Sequence, residues 1–217
     1  MECFCISLRL SDDSQNILAK HYTSFDITVP ARNAFYHTTL LQGLTSSYEN
    51  ISNSEELKSY INSYDSNIKN LLINWDMNLK RVDSVIFHKF NESYMACVLN
   101  YKYSDLIIEI SNDLDKIFSE TGIYYYPVSK LHNSYLIKDN YRKAYDFQHK
   151  SRIGNLEPHT TLGFINSGNK KDISIPLLED NNILDLNSLR HDSVVLSKLD
   201  DYCMTPYHPT TVLLELI

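Results

Sequence analysis

Two strand-like segments of this chain contain the same tetrapeptide, His-Thr-Thr-Leu, beginning at His37 and at His159. In a β-strand, side chains two positions apart point to the same face of the sheet, whereas neighbouring side chains point to opposite faces. Each copy therefore predicts a histidine and a threonine on one face, His37 with Thr39 and His159 with Thr161. We expect the two copies to occupy related positions in two halves of one fold.

The rest of the chain alternates between strand-like and helix-like patterns. Alternating or β-rich runs predict strands at 3–10, 34–42, 83–90, 93–101, 157–166, 191–200 and 210–217. Helical spacing and capping residues predict helices at 12–21, 54–73, 104–121 and 177–189, with a long loop and a partial helix over 123–156. Ser54 is the expected N-cap of the second helix, and Gly122 follows the third.

This mixed order predicts an α+β fold. No linker rich in Pro, Ser or Gly separates the two halves, so we expect one domain over residues 1–217. Its two pseudo-symmetric β/α lobes would lie around a central cleft, with one His–Thr face on each wall.

Two imidazoles and two hydroxyls around one small volume suit the cleavage of a phosphodiester without a metal. A neutral histidine accepts a proton from the attacking hydroxyl or water, and a protonated histidine donates one to the leaving oxygen. Thr39 and Thr161 can donate hydrogen bonds to the non-bridging phosphate oxygens as charge builds there. His37 and His159 are the predicted acid–base pair, and the sequence leaves open which of them is the base.

The two motifs, His37-Thr38-Thr39-Leu40 and His159-Thr160-Thr161-Leu162, resemble those of the 2H phosphoesterase superfamily. That superfamily includes LigT-like RNA 2′,3′-cyclic phosphodiesterases and viral 2′,5′-oligoadenylate phosphodiesterases. It also includes phage anti-CBASS proteins and poxvirus nucleases that cleave cyclic nucleotide signals. Threonine in the middle of each motif is more polar than the hydrophobic residue often found there. The resemblance implies catalysis by both His–Thr pairs without a metal or other cofactor.

A third near-match, His208-Pro209-Thr210, shows how readily the pattern arises. Pro209 has no N–H for a strand ladder, so a central strand is not expected there. We therefore interpret His208 as a loop histidine.

Charge is distributed unevenly along the chain. The net charge is −7, which disfavours binding of a long nucleic acid through its phosphates. Residues 130–156 nevertheless carry six basic and two acidic residues directly before the second motif. A basic segment on an acidic body favours a small phosphorylated ligand. Within it, Lys138 and Arg142 are the predicted phosphate contacts.

Tyrosine side chains could stack on a nucleobase. The chain contains 16 tyrosines, so most of them are expected to be packing residues. Tyr36 and Tyr207 lie near the ends of predicted strands, and Tyr125 lies in a run of three tyrosines. These three residues are the predicted base contacts.

The charge distribution predicts a small nucleotide signal as the substrate. The resemblance to the poxvirus and phage members of the superfamily implies a cyclic dinucleotide such as 2′,3′-cGAMP, whose cleavage would suppress host innate immunity. The alternatives are 2′,5′-oligoadenylate, an RNA end with a 2′,3′-cyclic phosphate, or a protein that sequesters a nucleotide without cleaving it. The composition, rich in Tyr, Asn and Ile with 5 Gly, is typical of an AT-rich genome such as a viral one. Neither a signal peptide nor a membrane span is evident, which predicts a cytoplasmic protein, in the host cytosol if the source is viral. The four cysteines form no CxxC pair and are expected to be reduced.

Overall fold

The computed structural model describes residues 2–22, 35–45, 47–55, 57–59, 70, 82–89, 94–101, 114, 116, 125–127, 159–166, 188–199 and 206–216, in several strands by the backbone alone. The helices are α1 Asp12–Tyr22 and α2 Tyr48–Ser52. The strands are β1 Glu2–Leu10, β2 His37–Thr45, β3 Val82–Lys89, β4 Tyr94–Tyr101, β5 Tyr125–Pro127, β6 His159–Asn166, β7 His191–Leu199 and β8 Pro206–Glu215.

All eight strands belong to one sheet, and every pairing among them is antiparallel. The strand order is β3-β4-β6-β2-β1-β7-β8, and the short β5 pairs with the end of β2. A mostly antiparallel sheet with a few helices agrees with the predicted α+β class. Within the described residues, no helix is long and apolar enough to cross a membrane.

The strongest periodic patterns of the sequence form the elements that they predict. The strands predicted at 3–10 and 191–200 are β1 and β7, and the helix predicted at 12–21 is α1. The runs at 83–90 and 93–101 pair with each other as the hairpin β3–β4. Both tetrapeptides lie at the start of a strand, in β2 and β6.

The helix predicted over 54–73 is described only at its start and at residue 70. Residues 55 and 57–59 are helical, and the Ser54 hydroxyl accepts a hydrogen bond from the Leu57 N–H at 3.1 Å, which confirms the N-cap. The short helix α2 was not predicted, since five residues are too few for a periodic pattern. Most of the predicted helices at 104–121 and 177–189 and most of the 123–156 segment lie outside the described residues.

The prediction that His208 lies in a loop is wrong, because this residue belongs to β8. The register of β8 against β7 shifts between the pairs Ser197↔Thr210 and Lys198↔Tyr207, so Pro209 lies in a bulge. β8 is also the last strand in the sheet order. Proline is tolerated at a bulge of an edge strand, where its missing N–H removes no central ladder bond.

The middle of β1 is buried on both faces of the sheet. Phe4, Ile6 and Leu8 belong to a core cluster that also contains residues of β2, β4, β7 and β8. Cys5, on the opposite face, is a free and buried thiol whose pKa burial raises to about 12. Cys5 is therefore a reduced packing residue, as expected from the sequence.

The strand triplets β7-β1-β2 and β3-β4-β6 have matching registers. In β1, Leu8 pairs with Thr38, and in β4, Leu99 pairs with Thr160. Each motif strand also carries a β-bulge at the leucine of its tetrapeptide, Leu40 in one triplet and Leu162 in the other. The second tetrapeptide thus repeats the first in register and bulge as well as in sequence.

The outer strands of the two triplets repeat each other in the same way. β3 contains Asp83-Ser84-Val85 and β7 contains Asp192-Ser193-Val194. The ladder skips Asp83 in β3 and Asp192 in β7, so a second pair of bulges occupies equivalent positions. Sequence, register and bulge therefore relate three strands of one half to three strands of the other.

Candidate active site

The two tetrapeptides meet at the centre of the sheet. β2 and β6 are adjacent, and within their described residues they pair at Thr38↔Thr160. Neighbours of an antiparallel pair also lie opposite each other, so His37 faces Thr161 and Thr39 faces His159 across the two strands. The register therefore brings both His–Thr pairs together.

Burial along each motif follows the predicted alternation. His37, Thr39, His159 and Thr161 are all partly exposed, whereas the second and fourth residues of each motif are buried. The His–Thr pairs of both strands thus share one face of the sheet, and Thr38 and Thr160 share the other. The prediction that each histidine shares a face with the threonine two residues later is confirmed.

A backbone carbonyl fixes the orientation of the His37 ring. The Nδ1 atom of His37 lies 3.2 Å from the carbonyl oxygen of Phe35. A carbonyl can only accept, so Nδ1 carries the hydrogen and Nε2 carries the lone pair in the neutral ring. The Phe35 ring packs edge-on against the imidazole, with the ring centroids 5.7 Å apart. His37 therefore has a defined tautomer, with Nε2 as its basic nitrogen.

Burial lowers the pKa of His37 to about 4, although the hydrogen bond to Phe35 acts in the opposite direction. The positive charges of His159 and His191 lower this pKa further. At neutral pH the His37 ring is neutral.

A glutamine of α1 holds the residue before His37. Gln15 accepts a hydrogen bond from the Tyr36 N–H at 2.6 Å and donates one to the Tyr36 carbonyl at 2.7 Å. It also donates to the Leu10 carbonyl at 3.1 Å, so one side chain links α1, the end of β1 and the start of β2. The backbone that carries His37 is therefore braced from the helix.

Beneath the His–Thr face, four buried side chains form a hydrogen-bonded chain. The Thr38 and Thr160 hydroxyl oxygens lie 3.1 Å apart. Thr38 Oγ1 lies 3.1 Å from Nε2 of His191, and Thr160 Oγ1 lies 2.8 Å from the hydroxyl of Tyr101. Sequence reasoning gave no role to any of these four side chains. The signal available was the first threonine of each motif, a polar residue at a position that strand alternation places on the face opposite the histidine.

Arg9 is a further residue that sequence reasoning missed. It pairs with His37 in the β1–β2 ladder, which places it on the His–Thr face. The guanidinium forms ion pairs with Asp192, at 2.6 Å, and with Asp12. A partly exposed cation therefore lies one strand away from His37, and only the register between the strands reveals it.

The predicted substrate contacts are described unevenly. Tyr36 is 4% exposed and its hydroxyl has no hydrogen-bond partner among the described residues, so its ring is an interior side chain here. Burial also raises the pKa of Tyr36. Tyr125 lies in β5 and Tyr207 lies in β8, and only the backbone of these two residues is described. Lys138 and Arg142 lie outside the described residues, and the roles of all five predicted substrate contacts stay predictions.

Among the described residues, no group of three or more His, Cys, Asp or Glu side chains is arranged to hold a metal ion. Comparison with protein-family models finds no match for this sequence, and comparison with curated proteins finds none either.

Proposed function

We propose that this protein is a metal-independent phosphodiesterase of the 2H type that acts on a small nucleotide signal. The observation that carries the proposal is the pairing of β2 with β6 at Thr38↔Thr160, which brings the two His–Thr pairs together on one face. Each half of the proposed two-lobed domain contributes one pair, and the matching registers of the strand triplets support that arrangement. The substrate phosphate would lie between the pairs.

His37 suits the role of general base. Its pKa of about 4 leaves Nε2 unprotonated at neutral pH, and Nδ1 is already occupied by the Phe35 carbonyl. The nucleophile, either a vicinal ribose hydroxyl or water, transfers its proton to Nε2 as its oxygen bonds to phosphorus. A bound phosphodiester anion raises the proton affinity of the ring, so the base becomes stronger when substrate is present.

His159 then takes the role of general acid. The protonated ring donates a proton to the leaving oxygen as its bond to phosphorus breaks. Thr39 and Thr161 donate hydrogen bonds to the non-bridging oxygens, where negative charge grows in the transition state. Attack by the ribose hydroxyl yields a 2′,3′-cyclic phosphate, whereas attack by water yields a monoester.

The proposed substrate is a cyclic dinucleotide such as 2′,3′-cGAMP, and its loss would blunt host nucleotide sensing. The net charge of −7 disfavours a polymeric substrate, and the basic segment at 130–156 supplies local attraction for a small anion. 2′,5′-Oligoadenylate and RNA ends with a 2′,3′-cyclic phosphate are the next candidates. We propose that the protein acts in the cytoplasm.

The proposal is tested by incubating the protein in EDTA with cyclic dinucleotides, 2′,5′-oligoadenylate and 2′,3′-cyclic monophosphates, followed by chromatography. We expect turnover of at least one of them, and a loss of roughly 10²–10⁴-fold in kcat for His37→Ala and for His159→Ala. The matched control is His208→Ala, since His208 lies in the third near-match of the motif but on the edge strand β8.

Two outcomes would count against the proposal. Full activity in both the His37→Ala and His159→Ala variants would remove these residues from the mechanism. Retention of intact nucleotide at a one-to-one ratio, with no product, would identify a protein that sequesters its ligand instead.

A further inference from the structure

The buried hydrogen-bonded chain under the His–Thr face joins four strands from both halves of the sheet. His191 belongs to β7, Thr38 to β2, Thr160 to β6 and Tyr101 to β4. None of the four is more than 3% exposed, so water does not compete for these hydrogen bonds. The rings of Tyr101 and His191 also lie edge-on, with centroids 6.4 Å apart.

The four side chains satisfy one another when their hydrogen bonds all run in one direction. Each hydroxyl donates one hydrogen bond and accepts others. If Tyr101 donates to Thr160, then Thr160 donates to Thr38 and Thr38 donates to Nε2 of His191. The opposite direction requires a hydrogen on Nε2 of His191. In either case the two end residues orient both hydroxyls, and such chains strengthen cooperatively in a buried setting.

The hydrogen-bonded chain of side chains lies where the two halves of the sheet are joined. Thr38 and Thr160 are the residues at which β2 pairs with β6, and their neighbours on the other face are the two His–Thr pairs. Fixing these two threonines therefore fixes the separation of His37 from His159. Reactive groups must be held to within a fraction of an ångström, because misplacement by about 1 Å can cost 10²-fold in rate.

We propose that Tyr101 and His191 are positioning residues: they hold the Thr38–Thr160 hydroxyl pair from beneath and thereby set the spacing of the two His–Thr pairs. The catalytic part of this inference rests on the proposed function. The role belongs to this chain's own residues, since it needs a threonine in the middle of both motifs, a tyrosine at the end of β4 and a histidine at the start of β7.

The first test replaces each middle threonine by valine, which keeps the shape and removes the hydroxyl. We expect Thr38→Val and Thr160→Val each to lower kcat between about tenfold and a hundredfold, with KM changed by less than about threefold. Thr38→Ser and Thr160→Ser, which keep the hydroxyl, should restore most of kcat. The double valine variant should have a kcat no lower than that of the less active single variant, because either substitution alone already interrupts the buried row of hydrogen bonds.

Ser197→Ala is the matched control. Ser197 is also a fully buried hydroxyl on β7, but it has no hydrogen-bond partner among the described residues. Removing it should leave kcat unchanged. If Ser197→Ala also lowers kcat, the loss of any buried hydroxyl has this effect. That result would contradict the proposed role of the buried hydrogen-bonded side chains.

A second readout does not depend on activity. The pKa of His37 can be followed by NMR titration of its ring, with His159 measured in parallel. Loosening the Thr38–Thr160 pair exposes the His37 ring further to water and moves the His159 charge, so the pKa of His37 should rise from about 4 toward its ordinary value of 6.5. Ser197→Ala should leave the His37 titration unchanged.

Tyr101→Phe and His191→Leu decide the case if the valine variants do not fold, since each removes one end of the chain. An unchanged His37 titration in folded variants of either kind would overturn the inference, and unchanged kcat would do so as well. If the wild-type protein turns over none of the nucleotides, the proposed function fails. The titration then still decides whether the buried chain sets the spacing of the histidines.

Discussion

His37 combines partial exposure with a strongly perturbed proton equilibrium. Its ring is held by the Phe35 carbonyl and packed against the Phe35 side chain, and burial lowers its pKa to about 4. The strand pattern predicted the face on which this residue lies. The pattern could not predict the lowered pKa, because that depends on groups brought near the ring by β6 and β7.

The pKa of His37 gives a prediction for stability against pH. In the unfolded chain the ring takes its ordinary pKa of 6.5, so between pH 6.5 and about 4 the unfolded state binds a proton that the folded state excludes. Stability is therefore complete above pH 6.5 and falls as the pH drops toward 4. Over that range, we expect the free energy of unfolding of His37→Gln to fall by about 1–3 kcal/mol less than that of the wild-type protein. Urea unfolding at several pH values measures the difference.

The comparison with His37→Gln isolates one group. The pKa of Glu2 is lowered by its hydrogen bonds to Lys198 and to the Tyr48 N–H, and Glu2 titrates in both proteins. Its contribution, lost as the pH falls below 4.5, therefore cancels in the difference. Parallel pH profiles for the two proteins would contradict the lowered pKa of His37.

At the scale of elements, the start of β2 depends on α1. Gln15 bonds to both backbone groups of Tyr36, the residue before the motif, and so adds to the backbone hydrogen bond that the Tyr36 carbonyl accepts from the Leu10 N–H. Nothing in the helical pattern of residues 12–21 distinguishes Gln15 from a solvent-facing glutamine. The contact exists because Tyr36, 21 residues further along the chain, lies beside the first turn of α1.

We expect Gln15→Leu to lower the free energy of unfolding by roughly 1–3 kcal/mol, because it removes three hydrogen bonds to partly buried backbone groups. The same change should increase hydrogen exchange at the Tyr36 amide and lower kcat more than it raises KM. Asn16→Ala is the control, since Asn16 is the exposed neighbour on α1. Equal stability of Gln15→Leu and Asn16→Ala would show that the brace contributes nothing.

Element boundaries were predictable where one local signal dominates. The Ser54 cap could be predicted because the interaction is contained within four residues. Pro209 pointed correctly away from a central strand, but an edge strand with a bulge was the solution that the chain adopted. Edge and centre cannot be told apart without the strand order.

At the scale of the whole molecule, the two strand triplets are joined through β2 and β6. Leu8 and Leu99 are equivalent core residues, each fully buried and each paired with the middle threonine of one motif. One hydrogen-bonded sheet and one buried polar chain cross the boundary between the triplets. We therefore expect the described halves to unfold together.

Leu8→Ala and Leu99→Ala test that expectation, and each should cost about 2–5 kcal/mol. If the chain is a single domain, both variants show one cooperative transition at a lower midpoint, whether it is followed by circular dichroism or by tyrosine fluorescence. Two separate transitions, with Leu8→Ala moving one and Leu99→Ala moving the other, would divide the chain into independent units.

The sequence by itself determined which side chains of each motif share a face, because strand periodicity is a local property of the backbone. It also determined the main strands, α1 and the α+β class, since these depend on short-range patterns. Only the tertiary structure decided that Thr38 lies opposite Thr160, that Tyr101 and His191 close a chain around them, and that Arg9 lies beside His37. Those relations depend on strand order and register, which are set by hydrogen bonds and packing between segments far apart in the sequence.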